Sequence, residues 1–486
     1  MSRLARAAWL SLALLSLFTI GAGATVAYQL PGRLALRRPA TVAQRPLAVG
    51  GPVLAPVPGG ADSGPVGASS AGLAATPGGV TAALSPGLGS AALGPHVAGL
   101  VTNLATGQVL FSRDAAAPFA PASTAKLAVA VAALDVLGPG DRLQTRVVAG
   151  RKRNAIVLVG GGDPTLAAGP PPAADYPQPA TLAALAASAA AALRGRHISQ
   201  VRLSYDTSLF TGPGLAPGWK PSYVSTGNVT PIQSLEVDQG RLTASGAPQD
   251  ADDPENFRPR SLTPAADAAR AFARFLASDG IRVAGPVSQA RARPGSPALA
   301  SVSSPPAAEI VQWMLMESNN VIAEDLARQV AIATGSPASF SGAAAAELKA
   351  LRQAGLPAGL SLVDGSGLSP DDRIAPDALV KLVQLAATGR PQLRAAITGL
   401  PVAGFAGTLA PGGSVFGTFG KPALGLVRAK TGNLSTVAAL AGIAYARNGQ
   451  LLGFAFMADK VRAKGLAAAG ADMAGLATAL AGCGCH

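Results

Sequence analysis

The apolar and polar positions near both ends of the chain predict short strands beside helices. Near the start, apolar runs at His96–Asn103 and Gln108–Ser112 flank a turn sequence that ends in Gly107, which predicts a β-hairpin. An amphipathic stretch, Ser123–Leu137, then stops before Gly138-Pro139, as a helix does. The closing part predicts three strands and a helix, at Leu424–Ala429, Val437–Ala446, Leu451–Met457 and Ala463–Ala481.

The middle of the chain alternates between short apolar runs and longer helical patterns. These predict strands at Ile156–Val159 and Val201–Tyr205 and helices at 180–194, Ala265–Ser278, Pro305–Thr334 (interrupted in its middle), Ala343–Ala354 and Pro376–Ala387. The order of elements therefore predicts an α+β domain made from both chain ends, residues 95–150 plus 301–486. Residues 151–300 would form a large domain inserted after the first helix.

Residues 1–30 predict export from the cytoplasm. Arg3 and Arg6 precede an uncharged, largely apolar run from Ala7 to Leu30, which is the pattern of a secretory signal. The run is also long enough for an uncleaved membrane anchor, because about 20 apolar residues cross a bilayer. Both alternatives place the rest of the chain outside the cytoplasm, in the cell envelope or secreted.

Residues 31–94 are rich in Ala, Gly, Pro and Ser and show no helical or strand period. Such a segment cannot bury a face, so we expect a disordered tether. The chain has a net charge of +13, and six Arg against one Asp place +5 of it in residues 1–94. The rest of the charge is spread thinly, with no basic run interleaved with aromatic residues. Nucleic acid is therefore not an expected partner.

The chain contains only three His and two Cys. Cys483 and Cys485 exclude a disulfide framework and cysteine-rich zinc modules, and the terminal Cys-Gly-Cys-His sequence is expected to fray. A serine nucleophile would find few His bases, but a lysine with a lowered pKa can serve instead.

Ser123 and Lys126 offer such a pair at the start of the predicted helix. Residues i and i+3 share a helix face, so the Ser123 hydroxyl and the Lys126 ammonium can meet. The free amides at a helix start also favour a developing oxyanion. The same two residues could simply be a helix cap and a solvated lysine.

Two further sequences could complete a site. Ser318-Asn319-Asn320 can direct Ser318 and Asn320 to one side only if the long 305–334 helix breaks there, which Asn residues favour. Lys430-Thr431-Gly432 follows a predicted strand, and Lys with a hydroxyl can hold a substrate carboxylate while Gly admits a close backbone. Each sequence alone is weak evidence for a catalytic site. The order of Ser-x-x-Lys, Ser-x-Asn and Lys-Thr-Gly in one exported chain is much stronger evidence.

These motifs resemble those of the class C low-molecular-mass penicillin-binding proteins, the D-alanyl-D-alanine carboxypeptidase/endopeptidases. The similar phrases are Pro121–Leu127, Glu317–Asn320 with Ile322–Glu324, Ala429–Ser435, Gly161–Leu166 and Asp364–Ser369. The long separation between Ser123 and Ser318 is typical of this class, which carries an insertion after the nucleophile helix. The resemblance implies a beta-lactamase/transpeptidase-like fold, in which helices flank an antiparallel sheet.

The resemblance also implies an activity and a set of roles. The enzyme would trim peptidoglycan stem peptides through an acyl-enzyme, be inhibited by beta-lactams, and need neither metal nor cofactor. The implied catalytic roles are Ser123 as nucleophile, Lys126 as base and Ser318 as proton relay, with the backbone amides of Ser123 and Asn433 holding the oxyanion. The implied substrate contacts are Asn320, Lys430, Thr431 and Gly432, and Asp206 would bind the free ammonium of a stem peptide.

Two other functions remain open from the sequence. A serine beta-lactamase or esterase would use the same motifs, although their spacing disfavours it. A catalytically idle peptidoglycan-binding protein would keep the fold without the reaction. Carboxypeptidase and endopeptidase activities proceed through the same acyl-enzyme and differ in the leaving group, so the sequence does not distinguish them.

Overall fold

Apolar strands from the two ends of the chain pair into one five-stranded antiparallel sheet, in the computed structural model. The structure describes residues 74–485 except 172, 174, 175, 243–257, 358, 413, 415, 417 and 418. The predicted signal or anchor and most of the predicted tether lie outside the described residues. Within the described residues, no helix combines the length and apolarity needed to cross a membrane.

Eleven strands occur in the described residues. They are β1 (Val97–Asn103), β2 (Val109–Arg113), β3 (Gln144–Ala149), β4 (Ala155–Val159), β5 (Gln200–Asp206), β6 (Arg282–Val283), β7 (Ser288–Gln289), β8 (Ala298–Ser303), β9 (Val427–Leu434), β10 (Val437–Tyr445) and β11 (Leu451–Ala458). The first sheet has the order β2-β1-β11-β10-β9, so the first hairpin of the chain lies beside its last one. The predicted hairpin and the predicted α+β fold are confirmed.

The α-helices cover both faces of the first sheet and one face of the second. They are α1 (Pro77–Leu88), α2 (Lys126–Val136), α3 (Leu182–Arg194), α4 (Pro264–Ser278), α5 (Ala307–Glu317), α6 (Asn320–Ala333), α7 (Phe340–Gln353), α8 (Pro376–Gln384), α9 (Ala395–Thr398) and α10 (Leu466–Gly482). Alternate residues of β10 separate two cores. Ala441 packs with α2 and α5–α8, whereas Leu440 packs with α1 and α10.

A second sheet carries the insertion, with the strand order β6-β5-β4-β3-β8. β4 and β5 are parallel, while β3 pairs antiparallel with both β4 and β8. Helices α3 and α4 pack on one face of this sheet. The boundaries predicted at 150/151 and 300/301 therefore move outwards, because β3 and β8 hydrogen-bond within the second sheet and not within the first.

The end of the predicted tether is ordered, so that part of the prediction is wrong. Thr76 caps α1, its hydroxyl accepting a hydrogen bond from the Gly79 amide at 3.1 Å. Val80, Leu84 and Leu88 follow at four-residue spacing and are buried with residues of α10. A helix of this composition is stable only when another element covers its apolar stripe.

The C-terminal residues are also held, contrary to the expected frayed end. Cys483 and Cys485 form a disulfide. The Cys485 carbonyl accepts a hydrogen bond from the Thr76 amide at 2.7 Å, which joins the last turn of the chain to the start of α1.

We predict that α1 contributes to the stability of the catalytic domain. Leu84 is fully buried between α1 and α10, so Leu84→Ala should lower the free energy of unfolding by about 2–5 kcal/mol through lost burial and a residual cavity. Urea unfolding of the purified chain measures this. Thr81→Ala, at an exposed position of the same helix, should change stability by about 0.5 kcal/mol or less. Equal stabilities of the two variants would mean that α1 does not pack as described.

Candidate active site

Ser123 lies in a tight turn that leads directly into α2. Residues Ala122–Ala125 form one turn of 3₁₀ helix, and the α-helix starts at Lys126. Lys126 Nζ donates a hydrogen bond to Ser123 Oγ at 2.9 Å. The pair that the three-residue spacing predicts is therefore in contact, with Ser123 partly open to solvent and Lys126 buried.

Lys126 is held by oxygens from three separate segments. Besides Ser123, its ammonium donates to Asn320 Oδ1 and to the Ser366 carbonyl, both at 2.7 Å. Burial lowers the pKa of Lys126 to about 7, against the carboxylates of Asp364, Glu324 and Asp372, which raise it. The lysine is thus poised to exchange a proton near neutral pH.

The break between α5 and α6 lies where the sequence predicts it. Ser318 has left-handed backbone angles, φ 56° and ψ 36°, which end α5. Asn319 restarts the helix, because its side-chain oxygen accepts a hydrogen bond from the Ile322 amide at 3.1 Å. Asn320 therefore reaches Lys126 from the first turn of α6, with Ser318 two residues before it.

Lys430 lies in the middle of β9, not beyond its end, because the strand predicted to stop at Ala429 runs to Leu434. The edge strand β9 pairs with β10 in a register that places Lys430 opposite Ala441 and Gly432 opposite Ala439. Both alanines face the helical core that contains α2. Lys430 and Gly432 consequently face the same side of the sheet as Lys126.

Gly432 lets β9 lie directly against the turn that carries Ser123. A Cβ at this position would be 2.6 Å from the Pro121 carbonyl oxygen and 3.1 Å from the Thr124 amide nitrogen. Asn433 follows it in the strand and is exposed. A glycine is required here because any side chain would push the strand away from the turn that carries Ser123.

Lys430 is as deeply buried as Lys126. Its ammonium donates to the Thr431 carbonyl at 3.0 Å, and the Thr431 hydroxyl contacts that of Thr408 at 3.0 Å. Burial lowers the pKa of Lys430 well below its usual value, and the charge of Lys126 lowers it further. The sequence predicts that burial and Lys430 together lower the pKa of Lys126. Burial lowers it in the structure, whereas the repulsion between the two lysines lowers the pKa of Lys430.

The loop 364–369 completes the site, and the sequence analysis assigned it no role. The Glu324 carboxylate accepts hydrogen bonds from the amides of Gly365 at 3.2 Å and Ser366 at 2.8 Å. That arrangement fixes the Ser366 carbonyl against Lys126. In the sequence, the motif Asp364–Ser369 was the sign that this loop matters. Its role could not be read from the motif, because the contact with Lys126 is made by a backbone carbonyl and not by a side chain.

The same loop packs closely against the turn that carries Ser123. Gly367 has φ 79°, and a Cβ there would lie 1.9 Å from the Ala122 carbonyl oxygen. Asp364 braces the loop by accepting hydrogen bonds from the amides of Gly367 and Ser369, both at 2.7 Å. Ala122 itself has φ 46°, an uncommon conformation for a residue with a side chain, which the surrounding contacts hold.

The inserted sequence also reaches the site. Trp219 Nε1 donates to Asp364 at 2.6 Å, and the Asn228 carbonyl accepts from Asn320 Nδ2 at 2.8 Å. Lys220 donates to Ser435 Oγ at 2.6 Å, beyond the end of β9. Lys220 and Ser435 line a cavity of about 400 Å³ beside the strand. The site therefore combines both parts of the chain.

Asp206 does not join this cluster. Its two carboxylate oxygens accept hydrogen bonds from the amides of Ser208 at 2.8 Å and Ala292 at 2.7 Å. It lines a different cavity, together with Arg142 and Gln329. Asp206 therefore lies in the wall of that cavity and not beside Lys126, and the contact with a substrate ammonium that is expected of it stays a prediction.

Comparison with known proteins supports one assignment. Residues 80–260 and 246–480 match the model of the D-Ala-D-Ala carboxypeptidase 3 (S13) family. The chain belongs to the S13 family. A carboxypeptidase of Mycobacterium tuberculosis is 39% identical over 418 residues, which are 85% of this chain and 86% of the relative. The carboxypeptidase DacB of Mycolicibacterium smegmatis is 37% identical over 89% of this chain and 90% of its own.

Solved structures support the fold of this S13 chain. The crystal structure of penicillin-binding protein 4 from Haemophilus influenzae superposes with a TM-score of 0.64 at 22% identity. The match covers 78% of this chain and 93% of the other. The predicted penicillin-binding-protein fold and family resemblance are confirmed.

We predict that the contact between Gly367 and Ala122 is required to position Ser123. Gly367→Ala would force a Cβ into the Ala122 carbonyl, so acylation of Ser123 by a fluorescent penicillin should slow by about tenfold or more, since small misplacements of a catalytic group are costly. Gly355→Ala is the matched control, because Gly355 has φ 90° but open space around its Cβ position. If both variants acylated alike, the close contact would have no catalytic consequence.

Proposed function

We propose that this chain is a serine D-alanyl-D-alanine carboxypeptidase that trims peptidoglycan stem peptides through an acyl-enzyme. The observation that carries the proposal is the contact between Ser123 Oγ and a buried Lys126 whose pKa is about 7. A lysine in that state is a base at neutral pH. Membership of the S13 family agrees with this activity.

In the first step, neutral Lys126 takes the proton of Ser123 Oγ. The oxygen then attacks the carbonyl carbon of the penultimate D-Ala, and the carbonyl oxygen becomes an oxyanion. We assign its stabilisation to the backbone amides of Ser123 and Asn433, which belong to the nucleophile turn and to the strand packed against it through Gly432.

In the second step, the amide bond to the terminal D-Ala breaks. The leaving nitrogen needs one proton, and we assign Ser318 as the relay that passes it from Lys126. The shortened peptide remains as an ester on Ser123. Water then attacks the ester, with its proton taken by the same base, and the acid is released.

Substrate contacts are assigned to groups around this pair. Asn320 would bind the peptide amide, and Lys430 with Thr431 would bind the terminal carboxylate. A carboxylate entering beside Lys430 favours the charged ammonium, so binding itself should raise the pKa that burial lowers.

The proposed site of action is the cell envelope. Peptidoglycan lies outside the cytoplasm, and the sequence of residues 1–30 predicts export. We propose that residues 7–30 anchor the chain if they are not removed as a signal peptide.

We predict that penicillin modifies Ser123. The purified full chain should form a stable covalent adduct, Ser123→Ala should form none, and the exposed Ser112→Ala should label like the parent. Mass spectrometry of the intact protein and its peptides measures this. Equal labelling of the Ser123→Ala variant would refute the proposed nucleophile, and rapid release of the adduct would favour a beta-lactamase. Loss of D-Ala from a defined pentapeptide separates the enzyme from an idle binding protein.

We predict that the rate of penicillin acylation rises with pH through about 7, because only neutral Lys126 accepts the Ser123 proton. At pH 6 the rate should be about a tenth of its plateau, as expected for a single base. Removing the Glu324 charge should lower the pKa of Lys126, so Glu324→Gln should shift the midpoint to lower pH. A rate that is flat between pH 6 and 8 would contradict the role of Lys126 as base.

A further inference from the structure

A second cavity lies on the inserted sheet, away from the catalytic cluster. It has a volume of about 560 Å³ and lies at the carboxyl ends of the parallel strands β4 and β5. Val159 and Asp206, the last residues of these strands, are part of its wall, and Gln329 of α6 lies on the other side. Carboxyl ends of parallel strands are a common position for ligand sites in open sheets.

Three arginines line this cavity, Arg142, Arg146 and Arg291. Arg142 donates to the Ser304 carbonyl at 2.7 Å. Arg146 and Arg291 are exposed, and neither guanidinium has a hydrogen bond or an ion pair with any residue that the structure describes. Two cationic forks therefore face the cavity with their donors unused.

The wall carries more arginines than acidic residues, with Arg142, Arg146 and Arg291 against Asp141 and Asp206. Both oxygens of Asp206 accept hydrogen bonds from backbone amides, and Asp141 is exposed. The bond from Ala292 to Asp206 also fixes the segment that carries Arg291. The backbone beside Arg291 is thus held in place, and the wall has one more positive than negative side chain.

The position of the cavity relates it to the proposed substrate. Gln329 and Asn320 are nine residues apart on α6, which corresponds to about 13 Å along the helix axis. Gln329 is held in place, since its side-chain amide donates to the Gly161 carbonyl at 2.8 Å. A peptidoglycan strand is much longer than this, and its stem peptides carry free carboxylates.

We propose that this cavity is a second substrate site, which binds a peptidoglycan carboxylate outside the peptide being cleaved through Arg146 and Arg291. The inference rests on the proposed function. A polymer bound at both places gains affinity because the second contact is intramolecular. Planar guanidinium groups suit carboxylates because they can donate two parallel hydrogen bonds.

The test is binding of the full chain to purified peptidoglycan sacculi, stripped of phosphate polymers, after penicillin has acylated Ser123 and blocked the catalytic cleft. The double variant Arg146→Gln/Arg291→Gln should bind about tenfold more weakly, the loss that corresponds to about 1.4 kcal/mol. Arg151→Gln/Arg153→Gln removes the same charge from exposed positions of the insertion outside the cavity wall, and it should bind like the parent. Converting the carboxylates of the sacculi to amides should abolish the difference between the two variants.

Each other result overturns the proposal. Equal losses in both variants would indicate a general charge effect, and no loss in either would show that the cavity does not bind the wall. A difference seen only on sacculi that retain phosphate polymers would assign the site to phosphate. Failure of the parent to react with penicillin would instead refute the proposed function, so the two failures are distinguishable.

Discussion

The structure depends on the burial of one ammonium group. Lys126 is fully enclosed, and an unpaired charge in that position would be strongly destabilising. Its partners are Ser123, Asn320 and Ser366, which come from the nucleophile turn, the start of α6 and a loop 240 residues further along the chain. Folding must bring these three segments together so that their oxygens replace water around the ammonium. The burial that results lowers the pKa of Lys126 to about 7, at which it can exchange a proton.

Buried charged side chains next to these contacts support this arrangement. The Glu324 carboxylate is buried and is satisfied by two loop amides, so it stabilises the loop whose carbonyl binds Lys126. One turn further along α6, Arg328 lies against the ring of Phe340, 4.1 Å from its centroid. Its charge lowers the pKa of Glu324, which burial raises to about 7. Several buried carboxylates in this region have raised pKa values because burial disfavours their charged forms.

Local patterns predicted the elements better than their partners. The break at Ser318 follows from two Asn residues that favour a helix start, and the contact between Ser123 and Lys126 follows from helix geometry alone. Helix α1 was missed because its apolar stripe is set among Gly, Pro and Ser and needs α10 to cover it. Asp206 lies apart from the Lys126 cluster because backbone amides of Ser208 and Ala292 hold its side chain in the inserted sheet, and its position in the sequence does not show these contacts.

The sequence by itself determined the α+β class, the insertion and the identity of the catalytic motifs, because these depend on residue types and spacings along a short stretch of chain. The tertiary structure decided what each group experiences. It buried Lys126 and Lys430 and so lowered both pKa values, fixed the Ser366 carbonyl through Glu324, and placed inserted residues in the site. Desolvation and backbone contacts arise between segments hundreds of residues apart, and no local pattern encodes them.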